Sequence, residues 1–550
     1  MIGSPEPARP RSTDAKIGAV NTPSRLRTLG WSLAAAAVCA VLLVATSPEL
    51  PLVWDEGDTI GRADQLDAWQ SAEPQRRAWR YTVVREGHPP LSGMLVAGGR
   101  RIAPGWLDPL TAARLGPMLW FALAAGAMCY RLQRDYDAPV VTLMALVALV
   151  TMPRLFAHEH FATLDGPLTA AWVIAWATFA PAVRQAGWTP LFGLALGLTL
   201  AAKFTGWLAP LPFVAWTVLT RSRGGVRALA IGLPVALAVF VALNPPLWHE
   251  PLTGLRTFFE LNLNRAEQGH LNVSTWFLGR MYNLDYPLPW YNTIVWTVVT
   301  ITPVTLYLGI YGIVWSVSRW RVDAASLLLV CQWATLVIVR ALPWAPPHDA
   351  ERLILPSFAF FAALVGVGVG RGLYRETLLS RPRIIAQGWA KVAVALALAA
   401  ALFDSASYFG HNLSYYSRLV GGLRGAVALG LEPTYYWDAL DRKTLDWLAE
   451  NTGDHEKVAF AAAPPQNLKL LKAWGLLART PDDPGTFRWY VVQRRPSANS
   501  PVDHWLFDHA TPAYQHSFSG VPLLDVYDYA DYQRADAEVA KTEEAPSATQ

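Results

Sequence analysis

Charge is what this sequence has least of. Of its 550 residues only 16% are Asp, Glu, Lys or Arg, and 53% are hydrophobic. Soluble domains carry about 25% charged residues, so one large water-soluble globule is excluded. The mean hydropathy is positive, +0.22. Cysteine is nearly missing as well. Cys39, Cys129 and Cys331 each lie inside an apolar run, so no disulfide framework is implied and cysteine does not report the compartment. Heptads and short-period repeats are lacking too. The net charge of +4 is weak, and no nucleic-acid partner is expected.

What is present is apolar run and tryptophan. The charge deficit extends from about residue 30 to residue 408, and the polarity is ordinary beyond it. Eleven runs approach the roughly 20 apolar residues that a spanning helix needs. They lie near 29–47, 110–131, 138–153, 164–183, 187–202, 205–220, 227–247, 291–318, 323–342, 352–371 and 386–408. Several of the 25 tryptophans stand near run ends, as interfacial belts require. The first run follows Arg9, Arg11, Lys16, Arg25 and Arg27. The "VATSPELPL" after it offers no small-residue cleavage site, so a retained anchor is expected rather than a cleaved signal.

The fold class is therefore a polytopic α-helical membrane protein of about eleven spans with a small soluble α/β domain at its C-terminal end. Residues 1–28 read as a disordered cytoplasmic segment and 29–408 as the transmembrane domain, with large outer loops at 48–109 and 248–290. Residues 409–533 read as the extracytoplasmic α/β domain and 534–550 as a disordered tail. In the α/β part, "DALDRKTLDWLAEN" has helical periodicity, and 457–463, 488–494 and 521–529 read as strands. Segment 252–264 spaces Leu252, Leu255, Phe258, Phe259 and Leu263 three to four apart, as an interfacial amphipathic helix does.

Arginine placement orients the chain. With the N-terminus inside, the links 131–137, 184–187, 221–227, 318–321 and 371–383 are all cytoplasmic and arginine-rich. Loop 48–109 conflicts with this, because Arg76, Arg77, Arg80, Arg100 and Arg101 fall outside. On that orientation Asp55, Glu56, His88, His158, Asp165, Lys203, His348 and Arg352 all share the outer face.

Each candidate has a plain alternative. Asp55-Glu56 in "PLVWDEGDTI" is an acidic turn after a span, or a general base held at the bilayer surface. His88 in "REGHPPLSG" belongs to a proline turn, or faces an outer cavity. Asp165-Gly166-Pro167 is a helix start with Asp as N-cap, or an acidic site. His158 and His160 flank Glu159 like a metal pair, but no further ligand stands at a metal-site spacing, so no metal ligand is assigned and divalent-metal dependence is left open. Lys203 snorkels to the interface, or holds a lipid-linked phosphate. His348 and Arg352, four apart at a helix entrance, cap it with Asp349 and Glu351, or bind phosphate.

Taken in order, "WDEGDT", "GHPPL", "AHEHFATLDGPLTA" and "GLTLAAKFTG" resemble the motifs of the polyprenyl-phosphate-sugar-dependent glycosyltransferases of the C superfamily. The nearest likeness is to its family 39-like members, which include protein O-mannosyltransferases and aminoarabinose transferases. "PHDAERLILPSFAFFAALVGVG" and "HNLSYYSRLVGGLRGAVALGLEPTYYWDAL" resemble later segments of bacterial members. The likeness spans about 50–440.

The resemblance implies the C-superfamily fold and an inverting transfer of a hexosyl or pentosyl group from a polyprenyl-phosphate donor to a hydroxyl on a protein, lipid or glycan. It gives Asp55 the role of acceptor-activating base with Glu56 beside it, and Asp165 that of second acid, preceded by His158. It puts Lys203 and Arg352 near the donor phosphate. It implies membrane lipid as a partner and a multi-pass location in a bacterial inner membrane. Gly57-Asp58-Thr59-Ile60 departs from the family, which often has an aromatic or basic residue there. A transporter or flippase of lipid-linked sugars, or a non-catalytic lipid-binding relative, are the rival readings. A transporter should carry mid-membrane charge and an internal repeat.

Overall fold

The computed structural model describes residues 25–71, 86–264, 273–372, 384–477, 480 and 486–544. Helices come first in the chain: α1 (Arg25–Thr46), α2 (Glu56–Ser71), α3 (Leu91–Ile102), α4 (Pro109–Tyr136), α5 (Pro139–Val150), α6 (Pro153–His158), α7 (Asp165–Arg184), α8 (Thr189–Leu200), α9 (Pro210–Thr220), α10 (Arg223–Ala242) and α11 (Pro251–Leu263). A hairpin, β1 (Thr275–Phe277) and β2 (Arg280–Tyr282), precedes α12 (Asn292–Thr300), α13 (Pro303–Ser318), α14 (Ala324–Arg340), α15 (Leu355–Val367) and α16 (Ile384–Ala406).

Among the described residues, five segments are long and apolar enough to cross a membrane: Arg25–Glu49, Pro109–Tyr136, Asp165–Arg184, Arg223–Ala242 and Ala350–Gly372. Six shorter apolar helices join them. Each of the eleven runs has a counterpart, and the chain is a polytopic helical membrane protein. The run 291–318 is divided into α12 and α13 at Pro303, which has no N–H to continue the ladder. Helix α15 is buried along its whole length, packed by α5, α13 and α14. The amphipathic helix expected at 252–264 is α11, with Gly254 and Phe258 buried and Leu252 and Leu263 exposed.

Proline or an acid-type cap starts many of these helices. The Asp108 carboxylate accepts from the N–H groups of Leu110 and Thr111 ahead of Pro109, satisfying donors that a helix start leaves open. Three arginines of loop 48–109 are paired with acids. Arg62 pairs with Glu86, Arg100 with Asp64 and Asp67, and Arg101 with Asp67. Arg76, Arg77 and Arg80 lie outside the described residues.

After α17 (Gly422–Ala428) and α18 (Arg442–Asn451) the chain becomes α/β: β3 (Val458–Phe460), α19 (Pro465–Ala473), β4 (Trp489–Gln493), α20 (Pro501–His509), β5 (Tyr514–Phe518), β6 (Val521–Asp528) and α21 (Tyr529–Glu544). The sheet order is β3-β4-β6-β5, with β3 parallel to β4 across α19 and the other pairs antiparallel. Strand β5 was not legible in the sequence. It is a polar edge strand joined to β6 by Ser519 (φ 49°) and Gly520 (φ 71°), the left-handed pair a two-residue hairpin needs. The tail expected to be disordered from 534 is helical to Glu544, because Ala535 and Tyr532 pack with Phe487 and Tyr490. Residues 545–550 lie outside the described residues.

A second core runs from the loops at one end of the bundle into this sheet, through Val53, Phe161, Tyr416, Leu445, Val491 and Leu524. The α/β domain is thus packed onto the membrane domain at the end where α1 stops and α4 and α7 start.

Candidate functional site

The chain turns sharply after α1, and "VWDEG" occupies the turn. Glu56 points inward. Its carboxylate is fully buried and accepts from Arg114 Nε and Nη2 (both 2.7 Å), Val53 N (3.1 Å) and Ala162 N (2.9 Å). Arg114 also donates to the carbonyls of Ser47, Leu50 and Pro51. Glu56–Arg114 thus ties the carbonyls of Ser47, Leu50 and Pro51 together and fixes the backbone on which Asp55 rides.

Asp55 points the other way, with about 32% of its side chain exposed. Its Oδ2 accepts from Arg352 Nη1 (2.6 Å) and from the Tyr436 hydroxyl (2.8 Å). Burial would raise its pKa, but the Arg352 charge, the two hydrogen bonds and Lys203 outweigh it and hold the carboxyl well below the usual range.

Arg352 joins three acids. Besides Asp55 it pairs with Asp349 and approaches Asp165 Oδ2 at 3.8 Å, and its guanidinium lies 4.4 Å over the Tyr436 ring. Asp165 is not the N-cap expected: it stands in the first turn of α7 without a capping bond. Its Oδ1 instead accepts from Lys203 Nζ at 2.5 Å. His348 and Arg352 do not share a helical face either. Asp349 and Ala350 are left-handed (φ 64° and 45°), which breaks the helix entrance and turns both side chains onto Asp349, His348 Nε2 at 3.7 Å. Burial lowers the His348 pKa to about 4, against the pull of Asp349, so it is neutral at physiological pH.

Below this layer lies another. His158 Nε2 contacts the Tyr435 hydroxyl at 2.5 Å, which donates to Glu351, which in turn pairs with buried Arg154 at 3.0 Å. Burial and the positive charges of Arg352, Arg154 and Lys203 push the His158 pKa well down. His160 bonds Thr46 instead (2.7 Å), and both Glu159 carboxyl oxygens are buried without a hydrogen-bond partner among the described residues. The three side chains diverge. Among the described residues no cluster of three or more His, Cys, Asp or Glu is arranged to hold a metal. His88 is half-buried in the turn before α3, and the Leu91 N–H that follows donates to the Ala201 carbonyl, bringing this turn against the Lys203 segment.

The structure thus joins Asp55, Asp165, Lys203, His348 and Arg352, from four distant segments, into one network, with His158 beneath them. Sequence reasoning missed Tyr435, Tyr436 and Arg340. Arg340 is buried at the end of α14. Its Nη2 donates to the carbonyls of Pro347 and His348, while its Nε and Nη1 have no hydrogen-bond partner among the described residues. Nothing periodic announces these residues. Only the "TYYWDAL" stretch was visible, as a resemblance.

Residues 87–249 match the family model described as dolichyl-phosphate-mannose-protein mannosyltransferase. No curated protein matches the chain. Among solved structures it is similar to ArnT from Cupriavidus metallidurans bound to undecaprenyl phosphate, at 15% identity and a TM-score of 0.51, over 91% of this chain and 99% of that one. The chain shares the fold of that structure. The archaeal oligosaccharyltransferase AglB from Archaeoglobus fulgidus gives 13% identity and a TM-score of 0.47, over 84% of this chain and 69% of that one. The S. cerevisiae Pmt1-Pmt2 complex gives 18% and 0.32, over 45% and 36%. The family match covers His88, His158, Asp165 and Lys203, and stops short of Asp55, His348 and Arg352. The resemblance read from the ordered motifs therefore stands on both sequence and fold.

Proposed function

We propose that this protein is an inverting glycosyltransferase that moves a sugar from a polyprenyl-phosphate donor to an acceptor hydroxyl, at the outer face of a bacterial inner membrane. The observation that carries the proposal is the network around Arg352. It sets one partly exposed carboxylate, Asp55, beside cations suited to a phosphate. ArnT, of like fold, was obtained with undecaprenyl phosphate bound, and the same kind of carrier would dock here from the bilayer side.

In this mechanism the acceptor hydroxyl gives its proton to Asp55 as its oxygen attacks C1 of the donor sugar. The bond from C1 to the phosphate oxygen breaks with its electron pair going to the phosphate. The leaving polyprenyl phosphate is a dianion, so fixed cations lower the barrier and no general acid is needed. Lys203 and Arg352 would exchange carboxylates for phosphate oxygens. Arg340, whose buried Nε and Nη1 have no hydrogen-bond partner among the described residues, would need no exchange. The low pKa of Asp55 has a consequence. While Arg352 holds it, Asp55 is a poor base. Once the phosphate draws Arg352 away, its basicity rises, so donor binding activates the base. Glu56 takes no part in proton transfer on this reading and anchors the turn.

The test is to incubate purified protein with polyprenyl-phosphate hexoses and pentoses and to measure release of polyprenyl phosphate. Release that requires Asp55 supports the reading. No release with any donor, under conditions where the protein binds polyprenyl phosphate, overturns it in favour of a non-catalytic lipid binder.

A further inference from the structure

Strand β5 is polar and lies at the edge of its sheet, and of its 5 residues only His516 is buried. Strand alternation would put an apolar side chain at such a position. The imidazole there meets a second one. His411, on the turn after α16, places its Nε2 at 3.1 Å from His516 Nε2, with the rings nearly parallel at 13°. The Phe518 ring stacks on His411 with centroids 4.3 Å apart and lies 5.0 Å from Tyr408. Arg424 Nε donates to the Ser519 carbonyl at 2.5 Å. These contacts join the β5–β6 hairpin to the segment that follows α16.

A nitrogen-to-nitrogen contact at that distance holds only when one nitrogen carries a hydrogen and the other a lone pair. Asp441 settles which. Its Oδ2 stands 3.6 Å from His516 Nδ1, and a carboxylate beside Nδ1 keeps the proton there. His516 Nε2 is then the acceptor and His411 Nε2–H the donor. Asp441 is fixed in turn, because its Oδ1 accepts from Thr444 N (2.9 Å) and Thr444 Oγ1 (2.7 Å) at the start of α18. A first added proton, on His411 Nδ1, leaves this bond intact and makes it charge-assisted. A second has only His516 Nε2 to go to. Two N–H groups then face each other, two positive rings share one carboxylate, and Lys443 adds a further positive charge.

We propose that His411 and His516 are an acid-released latch, which holds the β5–β6 hairpin against the segment after α16 while the pair carries at most one added proton, and frees it when both rings are charged. The groups that bear on the pair are Asp441 and Lys443 at the start of α18, Tyr408 on the turn of His411, and Phe518 on β5. Burial lowers the pKa of both histidines, and the neighbouring ring adds to this for His411. Asp441 pulls both up and Lys443 pushes both down. A histidine whose folded pKa is lowered weakens the folded contact as pH falls below its unfolded value of about 6.5. The latch is therefore closed at neutral pH and opens in acid. The hairpin has room to respond, because β5 is the edge strand and its register shifts between His516 and Ser517. Asp441 also ends the stretch that brings Tyr436 to Asp55, so the latch sits at one end of a wall of the candidate site. It does not depend on the glycosyltransferase reading.

The test is amide hydrogen exchange on the full-length protein in detergent, from pH 7.5 to pH 4.5, with rates corrected for the intrinsic effect of pH. Protection at Tyr514–Phe518 and at 408–414 should fall by about tenfold or more in acid, while β3 and β4 keep theirs. The fall should steepen to two protons per opening. His411→Gln combined with His516→Gln keeps a side-chain N–H and an acceptor but cannot titrate, and should hold its protection across the whole range. Unchanged protection in the wild type at pH 4.5 overturns the latch. So does a one-proton dependence, a loss shared equally by β3 and β4, or an equal acid loss in the double variant. If the double variant is already unprotected at pH 7.5, the proton count in the wild type decides alone.

Discussion

Asp55 and Glu56 are neighbours in sequence and opposites in setting. Glu56 is fully buried, and each of its contacts is with the protein's own interior. Asp55 is a third exposed and shares its cation with two other acids. A saturated, dry ion pair resists exchange, because removing either partner strands a charge. An over-subscribed, half-wet pair is built to exchange. Two acids that look alike in "WDEG" thus differ in setting: one anchors the turn, and the other is the reagent of the proposed mechanism.

The largest effect expected from breaking this contrast is on rate. Asp55→Asn should cut kcat by about 10²–10⁴-fold, with the thermal melting of the detergent-solubilised protein little changed. Wild-type turnover in that variant would sink the base assignment. Glu56→Gln should do the reverse. It leaves Arg114 as an unpaired buried charge and should destabilise the fold by about 3–5 kcal/mol, read as loss of monodisperse protein and a lower melting temperature. Full stability with lost activity would instead make Glu56 a second catalytic acid.

Asp438 tests the same logic inside the site's wall. Burial pushes its carboxyl up to about 6, above its unfolded value of about 3.9. A raised acid costs the folded state stability once pH passes the unfolded pKa, and the cost is complete above the folded one. Asp438→Asn should therefore raise the stability at pH 7.5 by about 1–3 kcal/mol, read as a higher melting temperature, and leave it unchanged near pH 3.5. A gain at both pH values would mean that packing, not ionisation, is at work.

Tyr436→Phe sharpens the contrast most gently. It removes one hydrogen bond from Asp55 and keeps the ring under Arg352. The depressed pKa of Asp55 should rise by roughly one unit or less. Activity needs the ionised form and is lost as pH falls through this pKa. The acid limb of kcat/KM should therefore move to higher pH. In the wild type, the limb of kcat should already lie above that of kcat/KM, because on the proposed mechanism the donor phosphate draws Arg352 away. Coincident limbs would deny that coupling.

Much of the fold was readable because bilayer and sheet physics leave a local mark. The eleven apolar runs, the amphipathic helix at 252–264 and strands β3, β4 and β6 were all visible from composition and periodicity. β5 was not, because an edge strand facing water needs no apolar alternation. Nor was the helical end of the chain to Glu544, because its few apolar contacts are with distant Phe487 and Tyr490.

Gly57 marks the division between sequence and fold. In the sequence it was a departure from the family pattern without a reason. In the structure a Cβ there would stand 2.2 Å from Asn467 Oδ1. The Asn467 side chain accepts from Gly57 N at 2.9 Å and donates to the Val53 carbonyl at 2.8 Å. The α/β domain is thus bolted directly to the turn that carries Asp55. The sequence by itself determined that the chain crosses a membrane many times, ends in an α/β domain and gathers its acids and cations on one face. These follow from hydrophobic length and charge placement, which are properties of short stretches. Only the tertiary structure decided which of two adjacent acids faces the solvent, which cations are already engaged and why position 57 is glycine. Those depend on partners up to 410 residues away along the chain, and no local pattern encodes them.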